Sequence, residues 1–272
     1  MLTILAFLVF LAATAVIFEE RLIYFPSDEL EVTPEALGLR YEDLTLVTSD
    51  EERVHAWFLP SPVEPVGAPG TLRYTVLVCH GNAGNISHRL DRTLLMHSRL
   101  GVDVLLFDYR GFGQSTGRPN ESGTYDDARA AYRYLVEERG VAEDGIVLFG
   151  ESLGAAVALQ LATEVRAAGL VLESPFTSIR DMAREAYPFI PNGWVRTRYE
   201  NIEKIPTLEM PLLVVHGTDD NTVPFAQGKH LFEAANEPKR FLPIAGAGHS
   251  DAFLVGRDAY WQAWKEFLAS LN

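Results

Sequence analysis

Four nearly continuous apolar runs, at 75–78, 104–107, 146–149 and 170–172, punctuate the middle of the chain, and stretches with helical spacing fill 86–100, 122–139 and 153–165. An apolar run without polar alternation marks a strand covered on both faces. Such strands alternating with helices build βαβ units, and hence a parallel sheet with helices on both sides. A strand at 212–215, a helix at 226–235, a strand at 241–244 and a last helix at 259–271 extend the pattern. Upstream, 44–49 and 54–59 alternate apolar with polar residues about Ser49-Asp50-Glu51-Glu52, as an antiparallel pair with one wet face does. The predicted class is α/β, with a mostly parallel central sheet.

Two stretches break this rhythm. Between Glu173 and Pro211 an insertion carries Phe176, Tyr187, Phe189, Ile190, Trp194 and Tyr199 among prolines and basic residues. It is too long for a simple connection, and it follows a strand whose C-terminal edge is where ligands bind in open α/β sheets. We read about 175–208 as a small cap, with Phe176, Tyr187, Phe189 and Trp194 as candidate substrate-binding residues; packing of the insertion onto itself is the alternative. The second break is at the start, where Leu2 to Phe18 are apolar apart from Thr3 and Thr14, near the lower limit for a spanning helix. A membrane anchor helix over residues 1–20 is expected, followed by one domain over 21–272. Ala13-Thr14-Ala15 resembles a signal cleavage site, but no positive segment precedes it. Arg21 follows two glutamates, so the side of the membrane is not set. The aromatic residues of Leu22-Ile23-Tyr24-Phe25-Pro26 suit either a membrane interface or packing on the domain.

Composition narrows the classes. With 272 residues, 47% of them hydrophobic and 22% charged, the chain can bury the core of one large domain. Its 23 basic and 37 acidic residues give a net charge of -14, which opposes binding to nucleic acid. The single cysteine, Cys79, rules out an intrachain disulfide and a thiolate metal cage, and its Val-rich surroundings make it a small buried hydrophobe. No H-E-x-x-H or similar spacing calls for a metal, and no cofactor is expected.

The chemistry centres on Gly150-Glu151-Ser152-Leu153-Gly154, a G-x-S-x-G that ends an apolar run and opens an alanine-rich helical stretch. That strand, sharp turn and helix context is what lifts a nucleophilic hydroxyl clear of a sheet. Ser152 needs a base. His249, in the small-residue loop Gly246-Ala247-Gly248-His249-Ser250-Asp251 between the last strand and the last helix, is the candidate among seven histidines. The acid should follow a buried strand, and His216-Gly217-Thr218-Asp219-Asp220 offers two adjacent carboxylates that spacing alone does not separate. Serine, then aspartate, then histidine is one of the known chain orders of such a triad. Negative charge on a tetrahedral intermediate needs preorganised donors. Leu153 offers a backbone N–H at a helix N-terminus, and Asn82, with Ala83 in reserve, offers the second from Cys79-His80-Gly81-Asn82-Ala83-Gly84-Asn85. A phosphate cradle is the rival use of that loop, but it lacks the Lys and Ser/Thr of a P-loop. Gly111-Phe112-Gly113-Gln114-Ser115-Thr116-Gly117 imitates a dinucleotide loop with its third glycine one residue late and no helix opening there.

Taken together, H-G-N-A-G-N at 80–85, D-Y-R-G-F-G-Q-S at 108–115, G-E-S-L-G at 150–154, S-P-F-T-S at 174–178, H-G-x-x-D-x-x-V-P at 216–224 and G-A-G-H at 246–249 resemble the membrane-anchored α/β-hydrolases of the Bem46 type, close to the domain-containing 13 and 17 groups. The resemblance covers nearly the whole chain. It implies the α/β-hydrolase fold and places the acid at Asp220. The expected activity is that of a serine hydrolase, an esterase or lipase acting on lipid-like or acyl esters at a membrane with water as the second substrate. Related proteins act on thioesters, so a protein depalmitoylase is the alternative; a non-catalytic membrane scaffold on the same fold is the reading from another class, opposed by the complete triad.

Overall fold

The computed structural model describes residues 19–62 and 73–271. Eight strands form one sheet among them: β1 (Glu42–Val47), β2 (Arg53–Leu59), β3 (Thr75–Cys79), β4 (Asp103–Phe107), β5 (Ile146–Glu151), β6 (Gly169–Glu173), β7 (Leu212–Gly217) and β8 (Lys239–Ile244). Their spatial order is β8-β7-β6-β5-β3-β4-β2-β1. All neighbours are parallel except β1 with β2 and β2 with β4, so the polar-alternating pair forms the antiparallel margin and the continuous apolar runs form the centre. The chain crosses from β4 back past β3 to β5, which leaves a crevice at the C-terminal ends of β3 and β5.

Helices α1 (Leu90–Leu100), α2 (Glu121–Arg133), α3 (Leu153–Ala162), α4 (Ile179–Ala186), α5 (Phe225–Ala234) and α6 (Arg257–Ser270) complete the main elements. Strand side chains point alternately to opposite faces, and this divides the core in two. Ile146 and Leu148 of β5 join Leu212 and Val214 of β7 beneath α2, α3 and α5. Val147 and Phe149, with Leu213 and Val215, face Leu90 and Met96 of α1 and Tyr260, Trp264 and Phe267 of α6. Asn120 starts α2 by accepting the N–H of Gly123 at 2.9 Å.

The start of the described chain packs on the domain. Glu19–Ile23 is a short helical turn. The Glu19 carboxylate is buried and accepts the backbone N–H groups of Arg196 and Thr197 from the insertion. Tyr24 is buried, its hydroxyl 2.8 Å from that of Tyr199, and Phe25–Pro26 pairs in parallel with Ala83–Gly84. Residues 19 and 20 therefore belong to the domain, whereas residues 1–18 of the expected anchor lie outside the described residues. No helix among the described residues is long and apolar enough to cross a membrane. The insertion contains α4 and a turn at Asn201–Lys204. It is fastened by Glu121, whose carboxylate accepts the N–H groups of Arg198 and Tyr199.

One ionic cluster ties the two central strands together. Buried Arg92 of α1 places Nη2 2.9 Å from Glu173 at the end of β6 and 3.4 Å from Glu151 at the end of β5. The Tyr260 hydroxyl of α6 donates to the other oxygen of Glu173 at 2.6 Å. Burial alone would raise the pKa of Glu151, but the charges of Arg92, Arg89 and His249 lower it on balance. Glu173 moves the other way, raised by burial and by the charge of Glu151 against the pull of Arg92.

Arg92→Met should cost about 3–5 kcal/mol near pH 7.5, because it leaves two buried carboxylates without their cation. Burial then raises both folded-state pKa values above the unfolded ones, so the deficit shrinks as pH falls through the raised values toward 5. Urea melts across that range check both the size and the sign. Separately, a Cβ at Gly154 would sit 2.0 Å from the Cys79 carbonyl oxygen, whereas one at Gly81 would meet nothing closer than 3.7 Å. Gly154→Ala should therefore cost about 3 kcal/mol and Gly81→Ala less than about 1 kcal/mol in the same assay.

Candidate active site

Ser152 stands between β5 and α3 with φ 55 and ψ -117, a conformation that a residue with a Cβ adopts only under constraint. The surroundings impose it. The Ser152 N–H donates to the Glu173 carbonyl of β6 at 2.9 Å, and its own carbonyl accepts the N–H of Ala155 at 3.0 Å. The absent side chains of Gly150 and Gly154 let the end of β5 and the start of α3 touch: a Cβ at Gly150 would lie 2.2 Å from the Gly154 carbonyl oxygen. The serine side chain is left at the C-terminal edge of the sheet.

His249 hangs over that edge from the loop after β8. Ser174, just past β6, donates its hydroxyl to the His249 carbonyl at 3.0 Å, and Asp251 accepts the N–H of Gly248 at 2.7 Å, which fixes the loop. The His249 ring has Nε2 2.8 Å from Ser152 Oγ and Nδ1 2.8 Å from Asp220 Oδ2. With Nδ1–H donating to the carboxylate, Nε2 is left to accept the serine proton.

Asp220 follows β7 with its side chain fully buried. Its other oxygen accepts the N–H groups of Thr222 at 2.9 Å and Val223 at 2.8 Å. His216 of β7 adds a donor that the sequence reading passed over. Its Nε2 lies 3.0 Å from the Val223 carbonyl and 3.3 Å from Asp220 Oδ2. Burial alone would raise the Asp220 pKa; the donors His216 and His249, the charge of His249 and the Val223 N–H together hold it well below the usual carboxylate range. Asp219 is exposed and, among the described residues, its carboxylate accepts from the neighbouring Thr218 hydroxyl. Geometry thus separates the two carboxylates that spacing left equivalent.

The loop after β3 is held from several sides. Asn82 donates its side-chain amide to the Ile23 carbonyl at 2.6 Å, and its own carbonyl accepts the Phe25 N–H at 2.8 Å. Asp108, buried after β4, accepts the Ile86 N–H at 2.9 Å and lies 3.4 Å from His80 Nε2. Asn85 caps the following turn by accepting the Ser87 N–H at 3.0 Å. The thiol of Cys79 is buried, and burial pushes its pKa up.

Asn82 and Ser152 stand between two cavities. One, of about 350 Å³, is largely apolar and is lined by Leu153, Phe176, Met182, Tyr187 and Val223, together with Leu22 and Phe25 from the N-terminal turn. The other, of about 330 Å³, lies toward His249 and carries His88, Arg89, Glu151 and Ser250. Of the four aromatic residues singled out in the insertion, Phe176 and Tyr187 line the apolar cavity. Phe189 and Trp194 do not; both are exposed, Phe189 with its ring edge against Tyr187. The lining from residues 19–25 had no signal in the apolar pattern, because it depends on where the chain before the first strand folds back. Among the described residues no cluster of His, Cys, Asp and Glu has the arrangement of a metal site.

Comparison with known proteins places the chain in a family. A family model described as serine aminopeptidase, S33, matches residues 70–200. The α/β-hydrolase domain-containing protein WAV2 of Arabidopsis thaliana is 35% identical over 94% of this chain and 89% of its own length. The human α/β-hydrolase domain-containing protein 17B is 32% identical over 72% of this chain and 67% of its length. Among solved structures, an esterase of Pyrococcus furiosus superposes with a TM-score of 0.72 at 22% identity, covering 91% of this chain and 97% of that one, which speaks to the fold. Identity at this level over most of each relative shows that the chain belongs to the α/β-hydrolase superfamily, among the α/β-hydrolase domain-containing proteins related to 17B.

Proposed function

We propose that the protein is a serine hydrolase that cleaves carboxylic esters of apolar acyl groups through an acyl-enzyme. The observation that carries this reading is the unbroken chain from Ser152 Oγ through His249 to Asp220, with both links at 2.8 Å, beside an apolar cavity. Ser152 attacks the carbonyl carbon while His249 Nε2 takes its proton. The imidazolium is stabilised by Asp220 and returns that proton to the leaving oxygen; water then enters by the same route in reverse. The backbone N–H groups of Leu153 and Asn82 are the proposed oxyanion donors. Leu153 stands at the first turn of α3, where the helix dipole favours negative charge, and Asn82 is fixed by its two bonds to Ile23 and Phe25.

The substrate inference rests on the cavity and on what precedes it. Phe176, Tyr187, Met182 and Val223 offer an acyl chain an apolar wall, and each buried methylene contributes about 0.8 kcal/mol. The wall is completed by Leu22 and Phe25, directly after the apolar stretch from Leu2 to Phe18. We therefore propose attachment to a membrane through that stretch, with lipid-like acyl esters as the substrate class. Oxygen esters and thioesters meet the same nucleophile, so matched pairs of the two separate an esterase from a protein depalmitoylase.

A fluorophosphonate probe should label the wild type at Ser152 and leave Ser152→Ala unlabelled; a folded wild type that resists the probe overturns the reading. Asp220→Asn should lower kcat/KM on an acyl ester on the order of a thousandfold by spoiling the imidazole tautomer, while Asp219→Asn should change it less than about threefold. The opposite ranking in steady-state kinetics would assign the acid to Asp219.

A further inference from the structure

The cavity on the His249 side has a chemistry of its own, and the proposed reaction assigns it a role. In acyl transfer the general acid must reach the leaving oxygen. His249 lines the polar cavity and not the apolar one. An ester bound with its acyl chain against Phe176 and Tyr187 therefore directs its alcohol into the polar cavity, past His249.

The cations and anions of that cavity do not balance. Glu151 is matched by Arg92 at 3.4 Å, on the core side. His88 is matched by Glu31 at 3.2 Å, and its Nδ1 is engaged by the Asn85 N–H. Arg89 makes no ion pair within 4 Å among the described residues, although its charge reaches Glu151 across the same cavity. Its Nη2 donates to the neutral Ala83 carbonyl at 2.6 Å, and its Nε–H is shielded from solvent without any hydrogen-bond partner. Other arginines among the described residues also lack an ion pair, Arg133 for one donating to the Val47 carbonyl, but Arg89 is the arginine that lines the cavity beside Ser152. A half-buried guanidinium beside Ser152, with an N–H that has no partner, is a cation available to an anionic group in the cavity. Its planar fork matches an oxyanion with two or more equivalent oxygens.

We propose that the cavity lined by His249 and Arg89 is a leaving-group subsite for an alcohol that carries an anionic phosphate or carboxylate, bound by the Arg89 guanidinium. The substrate class is then an amphiphile, with its apolar acyl chain on the Phe176 side of Ser152 and its anionic head on the Arg89 side. This rests on the serine hydrolase reading above. Asn82 and Ser152, common to both cavities, hold the ester carbonyl at the boundary.

The test compares three octanoyl esters on the full-length chain in neutral detergent: those of glycerol, of glycerol 3-phosphate and of glyceric acid. For the wild type, kcat/KM on at least one anionic ester should exceed that on octanoyl glycerol by about tenfold, the yield of a charge-assisted hydrogen bond. The faster of the two anionic esters identifies the anion. Arg89→Ala should bring the ratio of anionic to neutral ester close to one, and Arg89→Glu should invert it. Because the readout is a ratio within each variant, a general loss of folded protein does not move it. A wild-type ratio near one, or a preference that survives in Arg89→Ala, overturns the subsite while leaving the hydrolase intact. Absence of turnover on all three esters together with absence of fluorophosphonate labelling overturns the hydrolase reading beneath it.

Discussion

The positive φ of Ser152 is the constraint on which the rest of the site depends. A serine held there costs on the order of 1–3 kcal/mol locally, and the fold offsets this by packing around it. Every residue of α3 except Gln160 is buried, so the helix cannot withdraw from the strand to relax the turn without losing its core contacts. The bond from Ser152 N–H to the Glu173 carbonyl fixes the turn laterally to β6. Arg92 reinforces the same junction from below by pairing with the carboxylates at the ends of β5 and β6. The position of Ser152 is thus a property of two strands, a helix and one buried cation acting together.

The sheet order then brings the partners within reach. Asp220 leaves β7 and His249 leaves β8, on the far side of β6 from the serine. Ser174, just past β6, fills the gap with its bond to the His249 carbonyl. Asp220 accepts two backbone N–H groups and faces two imidazoles, so its charge is stabilised by the protein before substrate arrives. For the proposed reaction that is preorganisation in the electrostatic sense, since donors already aimed at a carboxylate need no rearrangement during proton transfer.

Much of this was legible in the sequence, for identifiable reasons. Continuous apolar runs fall on strands covered on both faces, and the alternating pair forms the antiparallel margin, but only β1 has the expected wet face: β2 lies inside the sheet between β1 and β4 and is buried on both faces from Val54 to Leu59. The serine turn was readable because its two glycines are demanded by backbone contact and not by taste for flexibility. What escaped was whatever depends on long-range meeting. His216 has no local signal beyond lying four residues before Asp220. Arg92 reads as an ordinary polar position of an amphipathic helix, and only the fold sets it against Glu151 and Glu173. Within the insertion, aromatic content did not tell which rings line the cavity. Phe176 and Tyr187 line the cavity; Phe189 and Trp194 do not, although Tyr187 is as exposed as they are.

The N-terminal turn makes a further connection between the ends of this argument. Glu19 is locked to the insertion through the Arg196 and Thr197 N–H groups, Tyr24 to Tyr199, and Ile23 and Phe25 to Asn82. Leu22 and Phe25, in the same few residues, are exposed yet wall the apolar cavity. One segment therefore bears on three things: the seating of the insertion, the placement of the proposed oxyanion donor, and the boundary of the proposed acyl site. A displacement of residues 19–25 would release the Asn82 side chain and open the cavity wall in the same movement. Residues 19–25 are thereby coupled to the proposed chemistry through Asn82 as well as to the apolar cavity.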